Sequence, residues 1–181
     1  MLKKIPLILA GIVVVFLVVA SFQSSELGVA RSVVISARAS AIIPHVENFH
    51  KWQAWSPWET IDPDLKRVFE GPESGVGAIY RWDGNNDVGA GSMTLIDLIP
   101  DRKIGIKLEF IRPFPGENEV LFLFEEFEGQ TKVTWAFSGK KNFVSKCFGL
   151  ICDMDAMIGD VYAEGLNNLK SVVENQEGRN S

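Results

Sequence analysis

Between Lys66 and Ser138 the chain is a train of short β-branched and aromatic runs, each ended by a turn signal a few residues long. No other feature restricts the possible folds as much. The runs fall at residues 66–70, 78–83, 89–98, 103–111, 118–126 and 131–138. They are separated by GPESGVG at 71–77, Gly84-Asn85-Asn86, Pro100-Asp101, Pro113 to Gly116, and Gly129-Gln130. Parallel neighbours need crossovers of about a dozen residues or more, so strands joined this tightly must pair antiparallel. Residues 29–37 (VARSVVISA) add a β-branched first strand ahead of the train.

Two short helical pieces separate that first strand from the rest. Ser40 is placed to cap one, in which Pro44 is tolerable only within the first turn. The other covers residues 48–54, carries Phe49, Trp52 and Trp55 at helical spacing, and is stopped by Pro57. The last element is a long helix over residues 154–173. Met154, Ile158, Val161, Tyr162, Leu166, Leu169, Val172 and Val173 form one apolar stripe on it. Asp153 and Asp155 suit its positive N-terminal end. One antiparallel sheet and one long amphipathic helix must each bury a face, and the simplest solution buries them against each other in an α+β domain.

Ahead of this domain, Ile5–Phe22 reads IPLILAGIVVVFLVVASF without a charge. Eighteen helical residues span about 27 Å, close to the hydrocarbon thickness of a bilayer. Residues 1–22 are therefore expected to be an uncleaved membrane anchor, with a signal peptide cleaved after Ala20 as the alternative. Lys3 and Lys4 precede the run, so the positive-inside bias places the N-terminus in the cytoplasm and the domain on the exported, periplasmic or extracellular side. Residues 23–28 follow as a short tether, 29–175 as the domain and 176–181 as a polar tail. No internal repeat divides the domain.

Composition and motifs exclude more than they select. A net charge of −5 without a basic run disfavours nucleic acid as a partner. Two histidines, His45 and His50, and two cysteines, Cys147 and Cys152, give no metal spacing, and neither a metal nor another cofactor is expected. Five residues apart on a helix, the cysteines lie about 7.5 Å apart along the axis, so a disulfide needs an irregular backbone between them. The GPESGVG stretch lacks the Gly-Lys-Ser/Thr ending of a phosphate loop and leads into a strand, so it reads as a flexible turn. Glu125, Glu126 and Glu128 read as a solvated charge run. Trp52, Trp55 and Trp58 could stack on a ring-bearing ligand or sit at a membrane interface, but a hydrophobic plug is the plainer reading. No nucleophile motif appears and no catalytic residue is assigned. Tyr80 and Asp155 are the acid/base groups to consider if they reach an interior.

The element order, together with FHKWQAWSPW at 49–58, GPESGVGAIYRWDGN at 71–85 and MDAMIGDVYAEGLNNLK at 154–170, resembles the SRPBCC (START/Bet v 1-like) superfamily. Within it the chain is most similar to the polyketide cyclase/dehydrase and lipid-transport group. The resemblance covers residues 30–173 and implies a helix-grip fold, a curved seven-stranded antiparallel sheet around the C-terminal helix with a hydrophobic cavity between them. It also likens the 71–77 turn to the glycine-rich loop of plant Bet v 1-like relatives.

Alternation puts Tyr80 and Trp82 on one face, and likewise Ile104, Ile106, Leu108 and Phe110, and Val133, Trp135 and Phe137. With Ile158, Tyr162, Gly165 and Leu166 of the helix these are the expected cavity residues. Gly159 and Gly165 favour space, since glycine in a helix interior costs about 1 kcal/mol. The expected function is a membrane-tethered module that takes a hydrophobic or amphipathic, lipid-like small molecule in that cavity, without catalysis. Two alternatives stand: an aromatase/cyclase-type enzyme acting on a polyketide-like substrate, and a protein-interaction module whose core is filled.

Overall fold

The structure, a computed structural model, describes residues 5–141, 143–151 and 153–180. Seven strands form one antiparallel sheet in the order β1-β7-β6-β5-β4-β3-β2. The strands are β1 (Glu26–Ile35), β2 (Lys66–Glu70), β3 (Ile79–Asp83), β4 (Ala90–Ile99), β5 (Lys103–Arg112), β6 (Gly116–Phe127) and β7 (Gln130–Lys140). β2 to β7 follow one another as hairpins, as the short connections require. The first strand then closes on the last, with Val33 opposite Val133 and Val29 opposite Phe137.

The helices are α1 (Ile5–Phe22), α2 (Ala39–Val46), α3 (Trp58–Ile61), α4 (Phe143–Phe148) and α5 (Met154–Asn180), with a 3-10 helix at Phe49–Ala54. Ser40 does not cap α2. Arg38 stands at the N-cap without a side-chain hydrogen bond, and the free N–H of Ala39 donates to Glu126 Oε1 at 2.6 Å. A member of the expected charge run thus ties the β6–β7 hairpin to the start of α2. Glu125 pairs with Lys132 across that hairpin. Pro44 lies beyond the first turn of α2, whose eight residues leave few ladder bonds for it to interrupt.

α5 lies across the concave face. Its stripe of Tyr162, Leu166, Leu169 and Val173 is buried against Ile35, Val133 and Trp135 in one hydrophobic core. Its far end is held by polar bonds to the edge strand, from Lys170 Nζ to Val34 O and from Ser36 N to Glu174 Oε1. The helix runs past residue 173, where the sequence pattern ends it, and on into the expected tail at 176–181 as far as Asn180, and β1 begins within the expected tether.

Among the described residues, no helix is long and apolar enough to cross a membrane. This overturns the single-pass anchor and, with it, the membrane localisation and the placement of the domain on the exported side. Ile5–Phe22 is helical as expected, and its 18 residues reach about 27 Å, at the lower margin of what a span needs. The last turn is also engaged with the rest of the chain, since Ala20 is fully buried and α1 packs on α4. Lys3 and Lys4, which set the expected orientation, lie outside the described residues, as does Cys152; Cys147 is a free thiol in α4.

Candidate functional site

The concave face of the sheet is the place to look, because period-2 alternation gathers the apolar side chains of seven strands there. The expected residues do come together on it. Tyr80 and Trp82 point to the same side as Met93 and Leu95 of β4, Ile104, Ile106 and Leu108 of β5, and Val133, Trp135 and Phe137 of β7, all within one core. The sequence reading missed the contributions of β4 and β6, namely Met93, Leu95, Val120, Phe122 and Phe124, although the same alternation marks them.

The middle of this face is filled. Trp135 stacks on Tyr162 with ring centroids 3.9 Å apart and on Phe122 at 5.0 Å. Trp52 and Trp55 close around the same ring at 5.9 Å and 5.4 Å. Their indole N–H groups donate to Val46 O and His45 O, so two large aromatics are buried without losing hydrogen bonds. They form a hydrophobic plug, with Trp58 packed at its margin. The α5 glycines mark close approach instead of empty space. A Cβ on Gly165 would lie 2.8 Å from Trp135 Cζ3 and 3.0 Å from Pro57 Cδ, and one on Gly159 would overlap the Arg31 guanidinium.

Burial weakens toward one end of the face. Along β5 it passes from Ile104 and Ile106, fully buried, through Leu108 at 8% exposure to the half-buried Phe110. β7 follows the same course from Val133 through Trp135 to Phe137, and β3 from Tyr80 to Trp82. On α5, Leu169 and Leu166 are buried whereas Ile158 is half-buried. The register brings these weak ends together, because the start of β1, the ends of β3, β5 and β7 and the start of β6 share one rim. Trp82 and Phe110 meet edge to face there at 5.8 Å. Exposed Ile111 and Phe114 follow on the β5–β6 hairpin.

Polar groups on the face are few, and the indole Nε1 of Trp135 is buried there without a hydrogen-bond partner among the described residues. Tyr80 donates its hydroxyl to Glu59 Oε1 at 2.7 Å, and Glu59 Oε2 accepts from Arg67 Nε at 2.6 Å. Burial first, then the Glu59 carboxylate, pushes the Tyr80 phenol far above its ordinary range. Burial does the same to Tyr162. Both phenols therefore stay protonated at neutral pH. Asp155 stands on the opposite flank, where its hydrogen bond with Arg31 holds its carboxyl below the usual range. The two acid/base groups of the sequence reading therefore belong to opposite edges of the sheet. The Glu59–Arg67–Tyr80 and Arg31–Asp155 contacts join residues far apart in the chain, and no local spacing announces them.

Recesses open on the surface beside the 3-10 helix and beside β1, and none of the expected cavity residues lines either of these. One of about 250 Å³ lies between the 3-10 helix, the end of β2 and the glycine-rich turn, with Phe49, His50, Phe69 and Glu73 in its walls. The turn is pinned there: Gly75 N donates to Glu47 O, Gly77 N to Leu95 O, and Asn48 Nδ2 to Glu73 Oε1. Gly71 has a positive φ and packs against the carbonyl of Gly77, where a side chain would collide. The other recess, about 470 Å³, lies between Glu26, Leu27 and Gly28 of β1, Gly149 to Ile151, and Asp153 and Asp155. Among the described residues no group of histidine, cysteine and carboxylate side chains could hold a metal ion.

No protein family and no curated protein matches the sequence. Solved structures do. The chain is similar to the Aha1 dimer protein of Colwellia psychrerythraea at 19% identity and a TM-score of 0.58, covering 82% of this chain and 96% of that one. It is similar to the Zhui aromatase/cyclase of Streptomyces sp. R1128 at 14% identity and a TM-score of 0.60, covering 82% and 94%. DynU16, a protein of the dynemicin biosynthetic locus, matches at 14% identity and a TM-score of 0.56, covering 84% of this chain and 48% of that one. At such identities the likeness is one of fold, and the chemistry must be argued from the site.

Proposed function

We propose that this chain, whose fold is the SRPBCC (Bet v 1-like) helix-grip fold, binds a hydrophobic or amphipathic small molecule at the open end of its concave face, without catalysis. The observation that supports this reading is the loss of burial along β3, β5, β7 and α5 toward one shared rim. An apolar molecule laid against Trp82, Leu108, Phe110, Phe137 and Ile158 completes a core that the chain leaves unfinished. Each 100 Å² of apolar surface it withdraws from water favours binding by about 2.5 kcal/mol. The filled centre, at Trp135, Tyr162 and Gly165, is the floor of the site and limits how deep a ligand reaches.

Proton-moving chemistry of the cyclase kind receives less support, despite the fold shared with an aromatase/cyclase. Such chemistry uses convergent acid and base groups poised near the working pH. Here both interior phenols are held protonated, and Tyr80 is already committed to Glu59. The filled-core interaction module is favoured by one observation, the close packing around Gly165.

Photolabelling of the full chain with a long-chain alcohol bearing a diazirine, followed by peptide mapping, tests the reading. Binding at the open end labels peptides containing Trp82, Phe110 and Ile158, and an excess of unmodified alcohol suppresses the labelling. Labelling confined to the apolar helix Ile5–Phe22, or none that competes, overturns the binding reading and leaves the interaction module.

A further inference from the structure

The open end needs a way in, and one side of it is held by a single exposed ion pair. Arg31 lies opposite Trp135 in the β1–β7 register, so its side chain leaves the concave face of the edge strand. It crosses to the first turn of α5. There Nη2 donates to Asp155 Oδ2 at 3.0 Å and to Asp155 O at 3.1 Å, and Nη1 donates to Asp155 Oδ1 at 3.4 Å and to Ala30 O at 2.9 Å. Gly159, one turn further on, leaves room for the guanidinium against the helix. No other ion pair joins α5 to β1 among the described residues; the far end of the helix is fixed by the Lys170 and Glu174 bonds and by Leu166, Leu169 and Val173.

Beside this pair lies the recess of about 470 Å³, walled by the first residues of β1, by Gly149 to Ile151 and by Asp153 and Asp155. Leu27 belongs to the wall and also packs on the core, so the recess and the open end share a residue. Ile158, the half-buried helix residue of the open end, sits between the latched Asp155 and Gly159. Ile151 in the same wall is 76% exposed. The start of α5 therefore separates solvent from the binding face, and its tie to the sheet is at the surface, where water and salt compete with it.

We propose that this recess is the entrance to the ligand site and that Arg31–Asp155 is the latch that closes it. The inference rests on the binding reading above. Freeing the pair lets the first turn of α5 lift from β1, while the buried far half of the helix holds the fold. An apolar ligand then passes over Leu27 to reach Phe110 and Phe137. The entry rate depends on salt, whereas the affinity, set by apolar contact, barely does.

The test compares the wild type with Asp155→Asn and with Gly159→Ala, whose methyl group displaces the guanidinium. Lys132→Gln, which breaks an exposed ion pair at the opposite end of the sheet, serves as control. The latch predicts several-fold faster photolabelling of the Phe110 peptide by the diazirine alcohol in both latch variants, with the final extent unchanged. It also predicts several-fold faster amide exchange across residues 153–160 in those variants only. About 1 M sodium chloride, which shortens the Debye length to about 3 Å, accelerates the wild type and leaves Asp155→Asn unmoved. Equal labelling and exchange rates in the wild type and Asp155→Asn overturn the latch while leaving the binding reading intact. If the wild type takes up no alcohol at the open end, the binding reading fails, and unchanged exchange in the variants then refutes the latch as well.

Discussion

Replacing Gly165 with alanine adds one methyl group at the centre of α5, and the structure says that it does not fit. The new Cβ lies 2.8 Å from Trp135 Cζ3 and 3.0 Å from Pro57 Cδ. Neither neighbour retreats easily. Trp135 is held between Tyr162 and Phe122, and Pro57 is a rigid ring that follows Ser56, whose N–H is bonded to Trp52 O at 2.8 Å. Alanine is favoured over glycine in a helix interior by about 1 kcal/mol, but overpacking a filled core costs about 1–3 kcal/mol. The balance is a destabilisation of about 1 kcal/mol, and Gly165→Leu exceeds it. Gly178 on the same helix has open space where its Cβ would stand, so Gly178→Ala gains a few tenths of a kcal/mol, limited by fraying of the last turn. Urea unfolding of the full chain, followed by tryptophan fluorescence and by circular dichroism, measures both. If Gly165→Ala stabilises as much as Gly178→Ala, space exists beneath the helix, the packing argument is wrong, and the ligand site extends to the middle of the sheet.

Other changes probe the same framework. Leu166 is 1% exposed, and its replacement by alanine leaves a cavity under α5 that lowers stability by about 2–5 kcal/mol in the same urea experiment. Glu59→Gln removes the carboxylate shared by Arg67 and Tyr80; with Arg67 partly exposed, the cost is about 2 kcal/mol, and Tyr80→Phe in the same background costs less than it does alone. His45 is buried, and desolvation first, then Lys51, lowers its pKa against the opposing bond with Gln176. The folded state thus binds its proton less readily than the unfolded chain. This part of the stability is complete above the unfolded value of 6.5 and is lost as pH falls below it, so urea midpoints drop from about pH 7 downward, and His45→Gln flattens that slope.

The sheet was legible because its signals are local. Lys66–Glu70 was placed to the residue, and the other strands of the train within one to two residues at nearly every end, since Gly84, Pro100-Asp101 and Gly129 each mark a reversal. The 3-10 helix and the long α5 were also visible, the latter from one stripe of apolar residues. The end of α5 was not, because residues 174–180 are polar and carry no stripe, although Glu174 anchors them to Ser36. α4 escaped notice as well: six residues between a strand and a helix show no period. Capping misled at Ser40, where the carboxylate that serves Ala39 comes from Glu126, distant in sequence.

The site was legible as a surface and not as a volume. Alternation identified Ile106, Leu108, Trp135 and Phe137 as sharing a face, but whether such residues enclose space depends on how far the helix approaches. Gly165 and Gly159 illustrate the difficulty. A missing side chain permits a void or a close contact equally well, and here each glycine receives a neighbour's bulk, Trp135 and Arg31. The apolar run Ile5–Phe22 carried a similar ambiguity, since its length fell at the margin of a span and its Ala20 is buried where α1 packs on α4.

The central claim, a ligand site at the open end above a filled floor, is most directly tested by methyl NMR of the full chain labelled at isoleucine δ1 and leucine δ methyl groups. During titration with decanol, the account predicts saturable shift changes at Leu27, Leu108 and Ile158, with Leu166, Leu169, Ile104 and Ile106 unmoved. Perturbation centred on Leu166 and Ile106, or none in the domain at all, would contradict it.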